Sequence, residues 1–427
     1  MRIGIVPVVD SSAGGIYQYS LTIVSALGVL SRQRASSIQE LILFLSHGSE
    51  RFMDDLGGKW TTQPLAPPTL KRKLINALRD AGAGWVVDRI KQVHVPQIVD
   101  IDARGSQPAI ERWMLRFGLD FIIYPAPSSL AFEVRIPSMM AVHDLQHRLQ
   151  PEFPEVSADG EWERREHTFR NAARHATMLL ADSEVGKEDI LECYSDYGAA
   201  AEQIGVLPFL PAHYLQTVDT AERERVRAKY RLPGRYLFYP AQFWAHKNHA
   251  RIVEALASLN AAHGLDIPLV LSGSKSGVLR ESVFQELMNI AQRGNIRQNI
   301  RYLGYVDATD MSALYAEAVA LVMPTFFGPT NIPILEAWAS GCPVITSDIR
   351  GVRDQAGEAA VLVNPRSVDA IADGIYQVWT NEALRRRLIE NGRERLNAYT
   401  FDDFCERLRA ILDNMQARVS AKTGAAG

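Results

Sequence analysis

Along this chain, short apolar runs alternate with longer segments in which apolar residues return at helical spacing, and the alternation runs through twice. Arg2–Val8 reads as a buried strand and Gly14–Leu30 as the helix after it. Glu40–Leu45, Phe121–Tyr124, Ser138–Val142 and Met178–Ala181 read as further strands. Asp182-Ser183 supplies an N-cap before a helix over Glu184–Tyr194. Pro208, Pro211 and the charged stretch Ala221–Lys229 then break the pattern. It restarts with strands at Tyr236–Tyr239, Pro268–Leu271, Ile300–Leu303, Ala320–Met323 and Pro343–Thr346. Helices are expected between them at Asn248–Ala262, Val278–Arg293, Asp307–Ala318 and Ile332–Ser340.

Strands alternating with helices predict parallel sheets covered on both faces. Two such series predict two domains, with the change between residues 205 and 233 and a ligand cleft where strand carboxyl ends face one another. The expected division is 1–210, 211–400, and a C-terminal helix over 401–427 that packs back on the first domain and frays beyond Met415. Residues 50–118 do not fit: they lack strong strands but hold Leu70–Arg79, a basic amphipathic helix with Lys71, Arg72 and Lys73 in a row.

The length of 427 residues agrees with two hydrophobic cores. With 47 % hydrophobic and 22 % charged residues the composition is that of a soluble globular enzyme, and a net charge of -3 gives no reason to expect nucleic-acid binding. Cys193, Cys342 and Cys405 are widely spaced, which argues against a disulfide framework or zinc site and suits a reducing compartment. The opening apolar run ends at Asp10, too short for a signal peptide, and no stretch is long enough to span a bilayer. A cytoplasmic protein is expected.

The strongest chemical signal is Pro324-Thr325-Phe326-Phe327-Gly328-Pro329-Thr330-Asn331-Ile332-Pro333-Ile334-Leu335-Glu336-Ala337, followed by Gly341-Cys342-Pro343-Val344-Ile345. It reads as a strand, a Gly/Pro loop and a helix opening at a Thr-Asn capping pair, whose amides suit a diphosphate. Glu336, one turn inside, is placed to accept hydrogen bonds from ribose hydroxyls. By spacing alone, an ordinary helix start with a surface glutamate fits equally well.

This segment resembles the signature of glycosyltransferase family 4, and the resemblance continues through other short motifs in order. They are Gly14-Gly15, Val142-His143-Asp144-Leu145, Leu180-Ala181-Asp182-Ser183-Glu184, Ala245-His246-Lys247-Asn248, Leu303-Gly304-Tyr305-Val306 and Ala356-Gly357-Glu358-Ala359-Ala360. The resemblance implies a GT-B fold of two Rossmann-like parallel-sheet domains facing across a cleft, the first binding acceptor and the second nucleotide sugar. It implies a retaining, metal-independent hexosyltransferase, with a weak preference for mannose, acting in surface polysaccharide synthesis on a glycan or lipid-linked oligosaccharide. The donor is a nucleotide-diphosphate sugar and no cofactor or nucleic acid is expected. Lys71, Arg72 and Lys73 are candidates for peripheral contact with the inner face of a membrane.

Family roles then fall on matching positions. His143 corresponds to the histidine that contacts the transferred sugar, Lys247 to the lysine that neutralises donor phosphate, and Glu336 to the second glutamate of an E-x7-E motif, which binds the ribose. Gly14 and Gly15 resemble the loop that lets backbone approach the diphosphate, and Gly328, Pro329, Thr330, Asn331 and Ile332 the loop that holds the donor. Two positions depart from the family: Gly328 stands where the first glutamate is usual, and Gln242 where an arginine is usual. Arg301, Arg350 and Arg353 are the candidates to replace that cation. A nucleotide-sugar epimerase or sugar phosphorylase on the same fold, and a non-catalytic sugar-nucleotide-binding protein, stay open as alternatives. A dehydrogenase is disfavoured because the glycine loop lacks the dinucleotide fingerprint.

Overall fold

The computed structural model describes residues 1–33, 36–67, 101–215 and 217–424. The chain divides into two compact units, one of Met1–Pro151, Val156–Pro208 and Phe401–Gly427, the other of Glu152–Glu155 and Phe209–Thr400. The run Lys71-Arg72-Lys73 lies outside the described residues.

The first unit is built on a seven-stranded sheet: β1 (Arg2–Ile5), β2 (Glu40–Leu45), β3 (Thr61–Pro64), β4 (Phe121–Tyr124), β5 (Ser138–Ala141), β6 (Met178–Ala181) and β7 (Ile204–Val206). The spatial order is β3-β2-β1-β4-β5-β6-β7 and every pair is parallel. The second unit carries β8 (Leu237–Pro240), β9 (Leu269–Ser272), β10 (Ile300–Tyr302), β11 (Ala320–Met323), β12 (Val344–Ser347) and β13 (Val361–Val363), ordered β10-β9-β8-β11-β12-β13 and again all parallel. In each sheet the strand order reverses beside the first strand of the unit. Ligands of doubly wound sheets bind at that reversal, outside the carboxyl ends of the strands.

Central strands such as β4, β5, β6, β9, β11 and β12 are buried at every position, and their sequences are apolar except for Ser138, Ser272, Thr346 and Ser347. The strands that pattern does not announce, β3, β7 and β13, all lie at sheet edges. Thr61–Pro64 is polar, largely exposed and ends in a proline, features of a protected edge. β1 stops at Ile5 instead of running to Val8, because Pro7 has no N–H to donate.

The charged stretch read as a break is a helix, Thr220–Tyr230, capped by the Asp219 side chain. It is fastened to the helix Ala308–Glu317 through buried Asp310, which accepts from Arg225 at 2.6 Å, Lys229 at 2.5 Å and the Tyr230 hydroxyl at 2.7 Å. The C-terminal helix Phe401–Gly424 belongs to the first unit and buries Phe404, Leu408, Leu412 and Met415 in it. The helix extends past Met415 to Gly424. All three cysteines are free, and burial pushes the Cys342 thiol up to about 12, so it is inert at neutral pH. Among the described residues no helix is long and apolar enough to cross a membrane.

Candidate active site

In the second unit the order reverses between β8 and β11. The loop after β8 carries Gln242 and Lys247; the loop after β11 carries Gly328 to Asn331. These two loops are bonded to each other. The Phe326 amide donates to the His246 carbonyl at 2.8 Å, and the Thr325 hydroxyl donates to the same oxygen at 3.2 Å. Asn248, in the left-handed region at φ 60°, is buried and donates from Nδ2 to the carbonyls of Pro324 and Pro365, both at 2.8 Å. The Lys247 carbonyl accepts from the Tyr239 hydroxyl at 3.0 Å. Lys247 therefore sits on a single turn (Ala245–Lys247) fixed from three sides.

His246 is held as well. Glu155 Oε1 accepts from the His246 amide at 2.9 Å and contacts its Nδ1 at 2.6 Å. Burial pushes the Glu155 carboxyl up, but these bonds outweigh it and hold it below the ordinary carboxylate range.

The helix after β11 is Ile332–Ala339, as its apolar spacing and Pro333 in the first turn predict. Its N-terminus is not the Thr-Asn cap read from the sequence. Asn331 stands at the cap position but its side chain accepts no capping bond. It lies instead over Gly328, where an added Cβ would come within 2.7 Å of Nδ2. Gly328 has φ 137°, a backbone conformation that favours glycine, and any side chain there would also have to displace the Asn331 amide. Asn331 Nδ2 is buried with no hydrogen-bond partner among the described residues, a costly state for a donor. The Gln355 side chain clamps the Asn331 backbone, accepting from its N–H at 2.9 Å and donating to its carbonyl at 3.0 Å. With that amide engaged and Pro333 lacking one, this helix start offers fewer amides to an anion than an ordinary first turn. Pro329 is buried and Thr330 half-buried in the same loop.

Glu336 is buried, not a surface residue. Its Oε1 accepts from the Tyr214 hydroxyl at 2.5 Å and its Oε2 from the Tyr315 hydroxyl at 2.8 Å. Burial raises its pKa, and the two tyrosine bonds only partly oppose that. Each carboxylate oxygen keeps a second lone pair, so a further hydroxyl can still be accepted.

In the first unit Gly14, at φ 60°, caps the helix Gly15–Ser31, and Gly15 is its first residue. His143 follows β5, at the carboxyl edge. Its Nε2 is 2.8 Å from the Pro125 carbonyl, which can only accept, so Nε2 carries the proton and Nδ1 is the acceptor of the neutral ring. Burial lowers the His143 pKa more than the Pro125 bond and the Asp144 charge raise it, keeping the ring neutral. Asp144 accepts from the Gln146 amide at 3.0 Å and from Arg165 at 2.7 Å, so it fixes the loop.

Residues 222–395 match the family model for Glycosyl transferases group 1. Gln242, Lys247, Gly328 to Ile332 and Glu336 all lie within the matched range, whereas Gly14, Gly15 and His143 lie outside it. The chain is 26 % identical over 391 residues to the O-antigen chain mannosyltransferase B of Escherichia coli, covering 91 % of this chain and 93 % of that protein. It is 25 % identical over 256 residues to the MMP alpha-(1->4)-mannosyltransferase of Mycolicibacterium hassiacum, covering 59 % of this chain and 57 % of that one. Among solved structures it is similar to HepE of Anabaena in complex with UDP and glucose, with a TM-score of 0.69 and 15 % identity over 97 % of this chain and 99 % of that one. The fold is GT-B, two Rossmann-like parallel-sheet domains.

Around this site, sequence reading misses four partners. Tyr214 and Tyr315 on Glu336, Gln355 on Asn331 and Arg280 on Gln242 are distant in sequence and carry no motif. Of the arginines proposed to replace the missing cation, Arg353 pairs with Asp348 at 2.6 Å in an exposed position.

Proposed function

We propose that this chain is a retaining glycosyltransferase that moves mannose from a nucleotide-diphosphate donor to a glycan or lipid-linked oligosaccharide acceptor during surface polysaccharide synthesis. One observation carries the reading: the loop that carries Lys247 and the loop that leads to the Asn331 helix start are bonded to each other at a strand-order reversal within the range similar to group 1 glycosyl transferases, the kind of place where a diphosphate binds. The names of the two mannosyltransferase relatives support the sugar, and the near-full-length similarity to the O-antigen enzyme supports the pathway class.

In this mechanism the bond between the sugar C1 and the β-phosphate oxygen breaks, and the acceptor hydroxyl oxygen bonds to C1 on the same face. The acceptor proton passes to the departing phosphate oxygen. Lys247 stabilises the charge that grows on the diphosphate, and the loop from Gly328 to Ile332 positions the donor. Glu336 accepts from ribose hydroxyls beside its tyrosines. His143, neutral and oriented by Pro125, contacts the transferred sugar, and the Gly14–Gly15 loop gives the diphosphate close backbone approach. No metal is needed where these groups carry the leaving charge.

The purified protein is incubated with GDP-mannose, UDP-glucose and related donors plus oligosaccharide acceptors. Release of nucleoside diphosphate together with an α-linked product from an α-configured donor is expected. An epimerised donor, an inverted linkage or no donor consumed under any pairing overturns the proposal.

A further inference from the structure

Arg280 is the third residue of the helix Val278–Arg293, which follows β9, next to β8 in the sheet. A cation there is unfavourable by itself, because the first turn of a helix carries positive charge. Nor is it neutralised: among the described residues Arg280 has no carboxylate partner, while nearby Lys275 pairs with Glu281 at 3.3 Å. Its contacts lead to the loop after β8. The guanidinium donates to Gln242 Oε1 at 2.9 Å and lies 4.8 Å from the centre of the Trp244 ring. One of five N–H donors is used in that bond.

The frame beneath it is tight. An added Cβ at Gly273 would stand 2.4 Å from the Ala241 carbonyl oxygen, at a φ of 131°, so the loops after β8 and β9 are locked backbone to backbone. Arg280 is thereby held beside the loop that carries Lys247. On the other side, the helix start at Ile332 is short of amides, as described above.

We propose that Arg280, gripped by Gln242 and Trp244, is a second cation that binds the donor diphosphate together with Lys247. This rests on the glycosyltransferase reading for its ligand. The charge absent from position 242 is supplied from another strand's loop, with Gln242 as its holder. A planar guanidinium with fork geometry suits phosphate oxygens, and the Trp244 face restrains it without neutralising it.

The test is equilibrium binding of GDP, UDP and ADP to the intact protein by calorimetry, with donor turnover measured in parallel. R280M should weaken the preferred diphosphate about 10- to 100-fold, the range for a lost charge-assisted bond. The double variant Q242R/R280M should recover most of that loss, because an arginine at 242 places a guanidinium in the same spot. R353M, whose cation is held by Asp348, should bind as the wild type does. R280M binding within threefold of wild type, with K247M impaired in turnover, overturns the inference and leaves the glycosyltransferase reading intact. A loss at R353M equal to that at R280M, or no recovery in a folded double variant, also overturns it. If the wild type binds a diphosphate through Arg280 yet transfers no sugar, the inference stands and the proposed activity fails.

Discussion

Lys247 and Glu336 play opposite parts in the proposed chemistry. The diphosphate gains charge as the glycosidic bond breaks, so a cation beside it favours the transition state over the bound donor. Lys247→Met should therefore lower kcat by about 10²–10³ while KM for the donor changes little. The backbone bonds that fix its turn do not involve the ammonium, so circular dichroism should be unaltered. Normal turnover in this variant would assign the leaving charge to another cation. Glu336 acts on the ground state through the ribose, so its loss should appear as weaker donor binding. Glu336→Ala should raise the donor dissociation constant, and losing a charged acceptor costs about 1.5–3 kcal/mol. The variant also strands two tyrosine hydroxyls, so Tyr214→Phe is the needed companion. It keeps the carboxylate and one of its bonds, and should leave donor affinity within about twofold, as a small net hydrogen-bond change allows. If both variants bind donor like the wild type, Glu336 is a structural acid.

Between elements, the buried carboxylate of Asp310 decides where the helix Thr220–Tyr230 goes. A run of alternating charges reads as a solvated linker when nothing in it is apolar enough to dictate burial. The buried acceptor facing Arg225, Lys229 and Tyr230 docks it, together with fully buried Val226 and the pairing of Arg223 and Arg227 with Glu317. Asp310→Ala should destabilise the protein to chemical denaturation by about 1.5–3 kcal/mol, the usual range for hydrogen bonds to a charged group. The sign with pH follows from linkage. Burial pushes the Asp310 carboxyl up, but the Lys229, Arg225 and Tyr230 bonds outweigh it and hold it below the ordinary 3.8. Its contribution is full above that value and is lost as pH falls through the lower value of the folded protein. The gap between wild type and variant should thus be constant near neutrality and shrink below about pH 4, because both then lack the carboxylate. A gap that widens on acidification would contradict this assignment.

At the scale of the whole chain, the residues proposed to bind donor in the second unit follow three neighbouring strands, β8, β9 and β11. Hydrogen exchange in the presence of a saturating nucleoside diphosphate should slow in 241–248, 273–281 and 324–336, because ligand bound only to the folded site suppresses local opening. The edge strand Thr61–Pro64 of the first unit should exchange at its ligand-free rate. Protection confined to the first unit would place the donor elsewhere.

The amino-acid pattern alone determines the two-domain parallel architecture, because central strands buried on both faces are mostly apolar. The resemblance to glycosyltransferase family 4, carried by short contiguous motifs, singles out Lys247, Glu336, His143 and the loop after β11 as candidates. The pattern does not reveal the edge strands, since β3 is polar and exposed and β7 and β13 are only three residues long, nor the docked helix Thr220–Tyr230. Only tertiary structure shows that Glu336 is buried under Tyr214 and Tyr315, that Asn331 covers Gly328 instead of capping its helix, and that Arg280 rests on Gln242. Each of these depends on partners 3 to 122 residues apart in the chain. A hydrogen bond or ion contact between side chains leaves no periodic trace in the sequence, whereas burial of a whole strand or helix face does.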